Sequence, residues 1–513
     1  MNTLNDQFRS QGNANGLAYV ARADGNVGWQ AKRLIVKAWK ALLLLDSHSA
    51  EQWLAELRLM ERAAPMRRHM LAQHEALLAA GLALAHDDID VAAMLAGQVS
   101  RGAQTEEMAR VTSVVLRFVA WRIKNWKHFD VATCLCPCSL VDKRQAIPTI
   151  LTLLVEAAAE MKRSRLVVAK RLASDALRFA TKLQAGKPFA VANAAALMAE
   201  LLYEQGELDE AEKLLRRHLP QISRCGCPDA VDTAYATLAR VALNRGQWKI
   251  AGLLLQELVV IGKMRAWPRL EALGHAHEVE LQCGLGDMEC ARTAMRNLQQ
   301  LQEDVTSDLS KAEIGQTARE AELTLRALAE PSRELVHELR ACIDQFAAQP
   351  DELRALRMRL LSVEVLTRLG EDEQAESEMQ ACLKSGMRCG AFQSFLRGSA
   401  ILREKMTSVY NSKVLSLSDH AELRAYLASL IGREREHTPA KDGGIGAASK
   451  NAITAREREI LLRMGQGYSN KKIAKDLGIG PETVKSHAKR IFFKLGVATR
   501  IEAVSCANDL RLL

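Results

Sequence analysis

The chain has few aromatic residues, few prolines and no clear strand pattern. Phe, Trp and Tyr make up 4% of its 513 residues, and there are 11 prolines. Long stretches are dominated by Ala, Leu, Glu and Arg, which favour helix, and no run of alternating Val, Ile and Thr interrupts them. An all-α fold is expected. Long apolar runs are also missing: 41–45 stops at Asp46 and 150–155 at Glu156, short of the ~18 residues that suggest a membrane span. Met1-Asn2-Thr3-Leu4-Asn5-Asp6 has neither the basic start nor the apolar core of an export signal. The expectation is a cytoplasmic chain with no membrane partner.

The 11 cysteines are too sparse for a disulfide scaffold. Cys134, Cys136 and Cys138, and Cys225 with Cys227, are each one residue apart, whereas zinc pairs usually leave two to four residues between ligands. No metal is expected. Catalytic signatures are missing as well. Gly186-Lys187 is followed by Pro188 and not a hydroxyl, so there is no phosphate-binding loop. His74-Glu75 and His277-Glu278 lack the second histidine of a zinc protease. Asp87-Asp88-Ile89-Asp90 reads as a helix start, where carboxylates favour the dipole. The reading is therefore of a chain that is not an enzyme, with no catalytic residue and no cofactor.

Charge is where the composition becomes informative. The whole chain carries 70 Lys+Arg against 61 Asp+Glu, a net +9. Residues 451–513 alone hold 12 basic and 6 acidic side chains. The surplus is thus concentrated at one end and points to a local anionic partner.

From 30 to 431 one helix pattern follows another, after a poorly defined segment at 1–29. A repeat is embedded in it: Gly206–Ala211, Gly246–Ala251 and Gly286–Ala291 share one form, 40 residues apart. A related turn recurs at Gly370–Ala375, and a weaker one at Asp87–Ala92. The glycine permits a positive φ where one helix ends, and the small alanine five residues on lets the next helix pack closely. Each unit is a helical hairpin, such as 189–205 followed by 208–219, whose apolar face only a stacked neighbour can bury. This pattern resembles the tetratricopeptide repeat, most closely over 189–300. Helices before 185 and after 310 fit either a solenoid or a bundle. The resemblance implies a sensing or protein-binding surface.

Residues 432–450, with four glycines and no apolar periodicity, read as a flexible linker. A compact unit follows at 451–513. Thr454-Ala-Arg-Glu457 is a capping box opening a helix that carries Ile460, Leu461 and Met464. Ser469 caps a short second helix with Ile473, Ala474 and Leu477 on one stripe. After Gly478, Pro481 suits the first turn of a third helix, which puts Val484, Ala488, Ile491 and Leu495 on one side. Lys485, Ser486, Lys489 and Arg490 fall on the other. Gly496 stops it, and Thr499-Arg-Ile-Glu502 opens a fourth helix. A short helix, a glycine turn and a longer basic helix are what a helix-turn-helix requires.

Ile453–Leu461, Gly467–Ala474 and Pro481–His487, continued by Lys494–Val497 and Arg500–Ala503, closely resemble the LuxR-type helix-turn-helix. The body resembles the sensor region of the large MalT-like activators of that family. Those activators begin with a nucleotide-binding domain that has no counterpart motif in this sequence, so ATP dependence is not carried over. The resemblance implies that Lys485, Ser486 and Lys489 face base edges in the major groove. It places Thr483, Arg490, Lys494, Ser469, Asn470 and Lys471 near phosphates.

The expectation from these residues is a solenoid joined by a linker to a four-helix DNA-binding domain. Its partner is double-stranded DNA, met as a homodimer paired through Ile501, Val504 and Leu510 of the last helix. A small-molecule or protein effector is expected at the body, with RNA polymerase as a further partner of a transcription activator. The competing readings are a repeat scaffold and the DNA-binding half of a split regulator.

Overall fold

The computed structural model describes residues 29–63, 68–102, 106–131, 146–183, 187–349, 351–396, 399–411, 421–437, 455–465, 468–477, 480, 484, 485 and 488. They are helical and contain no strand. The chain divides into two compact units, Met1–His437 and Thr438–Leu513.

The first unit opens with α1 (Trp29–Leu42), α2 (Ser47–Ala63), α3 (Arg68–Ala85), α4 (Ile89–Ser100), α5 (Glu106–Arg122) and α6 (Trp126–Val131). It continues through α7 (Ala146–Lys162), α8 (Leu166–Thr181), α9 (Lys187–Glu204), α10 (Leu208–Cys225), α11 (Pro228–Asn244) and α12 (Trp248–Met264). Then come α13 (Pro268–Leu285), α14 (Met288–Asp304), α15 (Asp308–Ala329), α16 (Arg333–Ala348), α17 (Glu352–Arg368) and α18 (Asp372–Cys389). The unit closes with the short α19 (Gln393–Leu396), α20 (Ala400–Asn411) and α21 (Ala421–His437).

Consecutive helices pair as hairpins, and from α1 to α17 each odd-numbered helix also packs on the next odd one. The odd helices therefore form an inner layer with neighbours on both sides. This explains why α11 buries an almost unbroken run from Ala230 to Ala242, while α10 alternates buried Leu208, Ala211 and Leu215 with exposed charge.

One turn geometry recurs through the unit. Gly206, Gly246, Gly286 and Gly370 have φ of 82°, 71°, 78° and 76°, as the repeat requires. The same left-handed position is taken by Leu45, Asp87, Lys124 and Ser164, with φ between 52° and 60°. Five residues beyond each lies a buried side chain: Ala50, Ala92, Phe129, Ala169, Ala211, Ala251, Ala291 or Ala375. The hairpins thus run from the first helices to α18. The solenoid alternative holds over the bundle on both flanks of 189–300.

Two boundaries differ from the sequence expectation. Helix α10 does not stop at Leu219 but runs through Pro220 to Cys225. Pro220 and Arg216 are exposed, so the carbonyl that the proline leaves without its usual donor can turn to water. Helix α21 runs past Gly432 to His437, so the first residues of the expected 432–450 linker are helical.

The interior joins distant parts of the chain. Trp267, 2% exposed, donates its indole N–H to the Ala85 carbonyl at 2.9 Å. The Phe392 amide donates to the Glu204 carbonyl at 3.0 Å, and Asn244 Nδ2 donates to Gln393 Oε1 at 3.1 Å. Residues of α7, α8 and α9 share one core with residues from α15 through α21. Asp88 caps α4 by accepting from the Val91 amide at 3.1 Å, as expected for a helix start. Asp87 does something else. Its buried carboxylate accepts from Arg122 Nη1 at 2.9 Å and Arg269 Nε at 3.0 Å. Asp229 and Glu313 complete the cluster from α11 and α15.

Candidate nucleic-acid interface

The second unit contains α22 (Ala455–Gly465) and α23 (Asn470–Leu477). Helix α22 ends in a tight connection in which the Tyr468 amide donates to the Arg463 carbonyl at 3.0 Å. Ser469 then starts α23. Its hydroxyl oxygen accepts from the Lys472 amide at 3.4 Å, and its carbonyl accepts from the Ile473 amide at 2.9 Å. The Val484 amide donates to the Gly480 carbonyl at 3.1 Å, and Val484, Lys485 and Ala488 are helical.

Ile460, Leu461, Met464, Ile473, Ala474, Val484 and Ala488 are all buried. These residues were expected to form the packing sides of three helices. Leu477, also placed on that stripe, is half-buried. Arg463 ties α22 to α23: Nε donates to Asp476 Oδ2 at 2.7 Å, and Nη1 donates to the Glu459 carbonyl at 3.2 Å. Glu459 therefore meets Arg463, its carboxylate 3.6 Å away.

With Arg463 committed to Asp476 and Glu459, the outward cations among the described residues are Lys471, Lys472, Lys475 and Lys485, all exposed. Ser469 is exposed and Asn470 half-buried, both at the start of α23. A helix start presents amide hydrogens and the positive end of the dipole, so Ser469, Asn470 and Lys471 form a place suited to a phosphate. Lys472 was not among the expected site residues. Its Nζ lies 3.7 Å from the centre of the Tyr468 ring, and the spacing of four residues was the available signal. Lys485 is solvent-exposed, next in sequence to buried Val484 and three residues before buried Ala488. Thr483, Ser486, Lys489, Arg490 and Lys494 lie outside the described residues, as do Ile501, Val504 and Leu510.

Among the described residues no group of three or more His, Cys, Asp or Glu could hold a metal ion. No helix there is long and apolar enough to cross a membrane. Cys134, Cys136 and Cys138 fall outside them; Cys225 is buried, and both it and Cys227 are free thiols.

Comparison with known proteins adds two matches that together cover most of the chain. Residues 139–404 match the family described as the MalT-like TPR region. Residues 451–507 match the bacterial regulatory proteins of the luxR family. A probable transcriptional regulatory protein NarL of Mycobacterium tuberculosis is 48% identical over 61 residues, 12% of this chain and 28% of that protein. The HTH-type transcriptional regulator MalT of Vibrio cholerae is 26% identical over 342 residues, 61% of this chain and 35% of that protein. The chain thus spans about a third or less of the length of these curated relatives. A Rap protein, solved in complex with Competence and Sporulation Factor, shares the fold at a TM-score of 0.52. That match has 13% identity and covers 70% of this chain and 98% of the Rap chain.

Proposed function

The chain belongs to the family with the MalT-like TPR region and ends in a domain of the luxR-family regulatory proteins, and from that premise we propose a sequence-specific transcription regulator that binds double-stranded DNA. The observation that carries this reading is the two-sided construction of the second unit. Val484 and Ala488 are buried while Lys485 is exposed, and Ser469 to Lys471 open α23 earlier in the same unit. Lys485, Ser486 and Lys489 take the base-reading role. Thr483, Arg490, Lys494, Ser469, Asn470 and Lys471 take the phosphate role.

A single module of this size buries little surface on DNA, so the regulator acts as a homodimer on half-sites about one helical turn apart. The helical-repeat body receives a ligand or a protein, and RNA polymerase is the partner of an activating output. No ATP step is invoked. The test is capture of sheared genomic DNA by the full chain, followed by sequencing and by retardation of the recovered fragments at several salt concentrations. A shared motif whose affinity falls steeply with salt is the expected result. Recovery of no enriched sequence would overturn the proposal in favour of a repeat scaffold.

A further inference from the structure

The inner layer of the first unit holds a second group of charges. Asp351 occupies the N-cap position of α17 yet makes no capping bond with its side chain. The carboxylate turns inward, 4% exposed, and its Oδ1 accepts no hydrogen bond. Lys162 Nζ lies 3.6 Å from Oδ2 and Arg354 Nη1 lies 3.9 Å from it, both beyond hydrogen-bond distance. Arg354 is committed elsewhere, since its Nη2 is 2.8 Å from Glu320 Oε1. Lys124 reaches the same place from the turn after α5: its Nζ and the Arg354 guanidinium lie 5.6 Å and 5.3 Å from the centre of the buried Phe346 ring.

With Arg354 paired to Glu320 and Arg357 to Glu204, two ammonium groups, Lys124 and Lys162, face the Asp351 carboxylate, and Lys162 also faces Glu200, whose carboxyl burial holds above its usual value. The place also carries a buried carboxylate oxygen without a donor, a costly arrangement in an enclosed setting. An occupant matching both features has a carboxylate for the lysines and a hydrogen-bond donor for Asp351. The 3.6 Å between Lys162 and Asp351 requires those two groups to be close together. Lys162 keeps 38% of its side-chain surface accessible, so its ammonium can be met from solvent.

We infer that Lys124, Lys162 and Asp351 bind a small organic acid bearing a donor on the carbon next to its carboxylate, an α-hydroxy or α-amino acid. This rests on the reading of the body as the part that receives an effector. Burial and the neighbouring Arg354 hold the Lys124 ammonium down to about 8. An anion arriving beside it raises that value, so binding takes up a proton when the pH lies just above 8.

The experiment is calorimetric titration of the full chain with lactate, L-alanine and acetate, at pH 8.5 in two buffers of different ionisation enthalpy. Lactate or alanine is expected to bind at least about tenfold more tightly than acetate, the worth of one charge-assisted hydrogen bond. Proton uptake should accompany binding and vanish in Lys124→Met. Lys162→Gln, at a partly exposed position, should weaken binding about tenfold with an unchanged helical spectrum. Asp351→Asn separates the two sources, weakening alanine far more than lactate if the ligand carries an ammonium. No saturable binding at millimolar concentrations, or binding indifferent to Lys162→Gln, overturns the site. DNA retardation with and without the ligand is scored separately. Binding without an effect on DNA leaves the site standing and removes the effector reading, whereas DNA binding with no saturable ligand binding removes the site and leaves the DNA-binding reading standing.

Discussion

Replacing Asp87 tests whether the buried charge cluster holds the first helices to the repeats. Asp87 receives hydrogen bonds from Arg122 and Arg269, and its side chain and that of Arg122 are each 4% exposed. Arg122 also meets Glu313 at 2.9 Å and Asp229 at 3.2 Å, and Arg269 meets Asp229 at 3.1 Å. Removing one member of a buried pair costs about 3–5 kcal/mol, because it leaves charge uncompensated. Asp87→Ala adds about 1–2 kcal/mol, since φ is 60° and alanine is disfavoured there. Asp87→Asn is different: asparagine tolerates this backbone. Both variants remove the charge and leave Asp229 and Glu313 to the arginines, but the asparagine oxygen can still accept from them, so its cost should be about 1–3 kcal/mol. The assay is urea unfolding of the full chain followed by helical circular dichroism, with Arg122→Met and the double variant closing a thermodynamic cycle. Alanine should be worse than asparagine by at least about 1 kcal/mol. Equal costs for the two variants, or no coupling to Arg122, would refute the reasoning.

Other outcomes follow from the same structure. Burial alone would raise the Asp229 carboxyl, but Arg269 and Arg122 outweigh it and hold it below its usual value. The stability it contributes is therefore complete above the unfolded value of about 3.9 and is lost as the pH falls towards the depressed one; acid unfolding that is unchanged in Asp229→Asn would contradict this. Gly370→Ala should cost about 1–2 kcal/mol, all of it from a φ of +76°, because an added Cβ would meet nothing within 4 Å; thermal melting reads the loss. Ser469→Ala should cost the second unit about 1 kcal/mol, since it removes the bond from the Lys472 amide, and hydrogen exchange in α23 would report it. Lys489→Ala should cost about 1–3 kcal/mol in DNA binding and relax sequence preference, measured by competition among operator variants.

Much of this architecture was legible in the residues, but unevenly. The repeat was plain where the turn position is glycine, as at Gly206, Gly246 and Gly286. It was hidden at Leu45, Lys124 and Ser164, where other residues adopt the same left-handed backbone. Their common signal, a small or aromatic residue five positions on, is too weak to stand without the glycine. The packing sides of the second unit were legible because short capped helices leave few ways to bury Ile460, Leu461, Ile473 and Val484. Partners across the coil were not. Nothing in the local sequence around Asp87 points to Arg269, 182 positions away, because that meeting is fixed by how the hairpins stack.

A glycine at the left-handed position delivers no side chain, so Gly206, Gly246 and Gly286 serve the turn alone. At two of the turns that lack glycine, the residue in that strained position instead carries a charge into the interior. Asp87 enters the cluster with Arg122 and Arg269, and Lys124 stands beside Arg354 over Phe346. Glycine at either place would relieve about 1 kcal/mol of backbone strain and remove the charge. If these side chains only tolerate their positions, Lys124→Gly should stabilise the chain without altering its ligand response. If Lys124 is retained for its charge, the variant should melt higher and bind the acid more weakly. Thermal melting and titration on the same sample separate the two, and a variant that is stabilised yet binds unchanged would strip Lys124 of the role assigned to it.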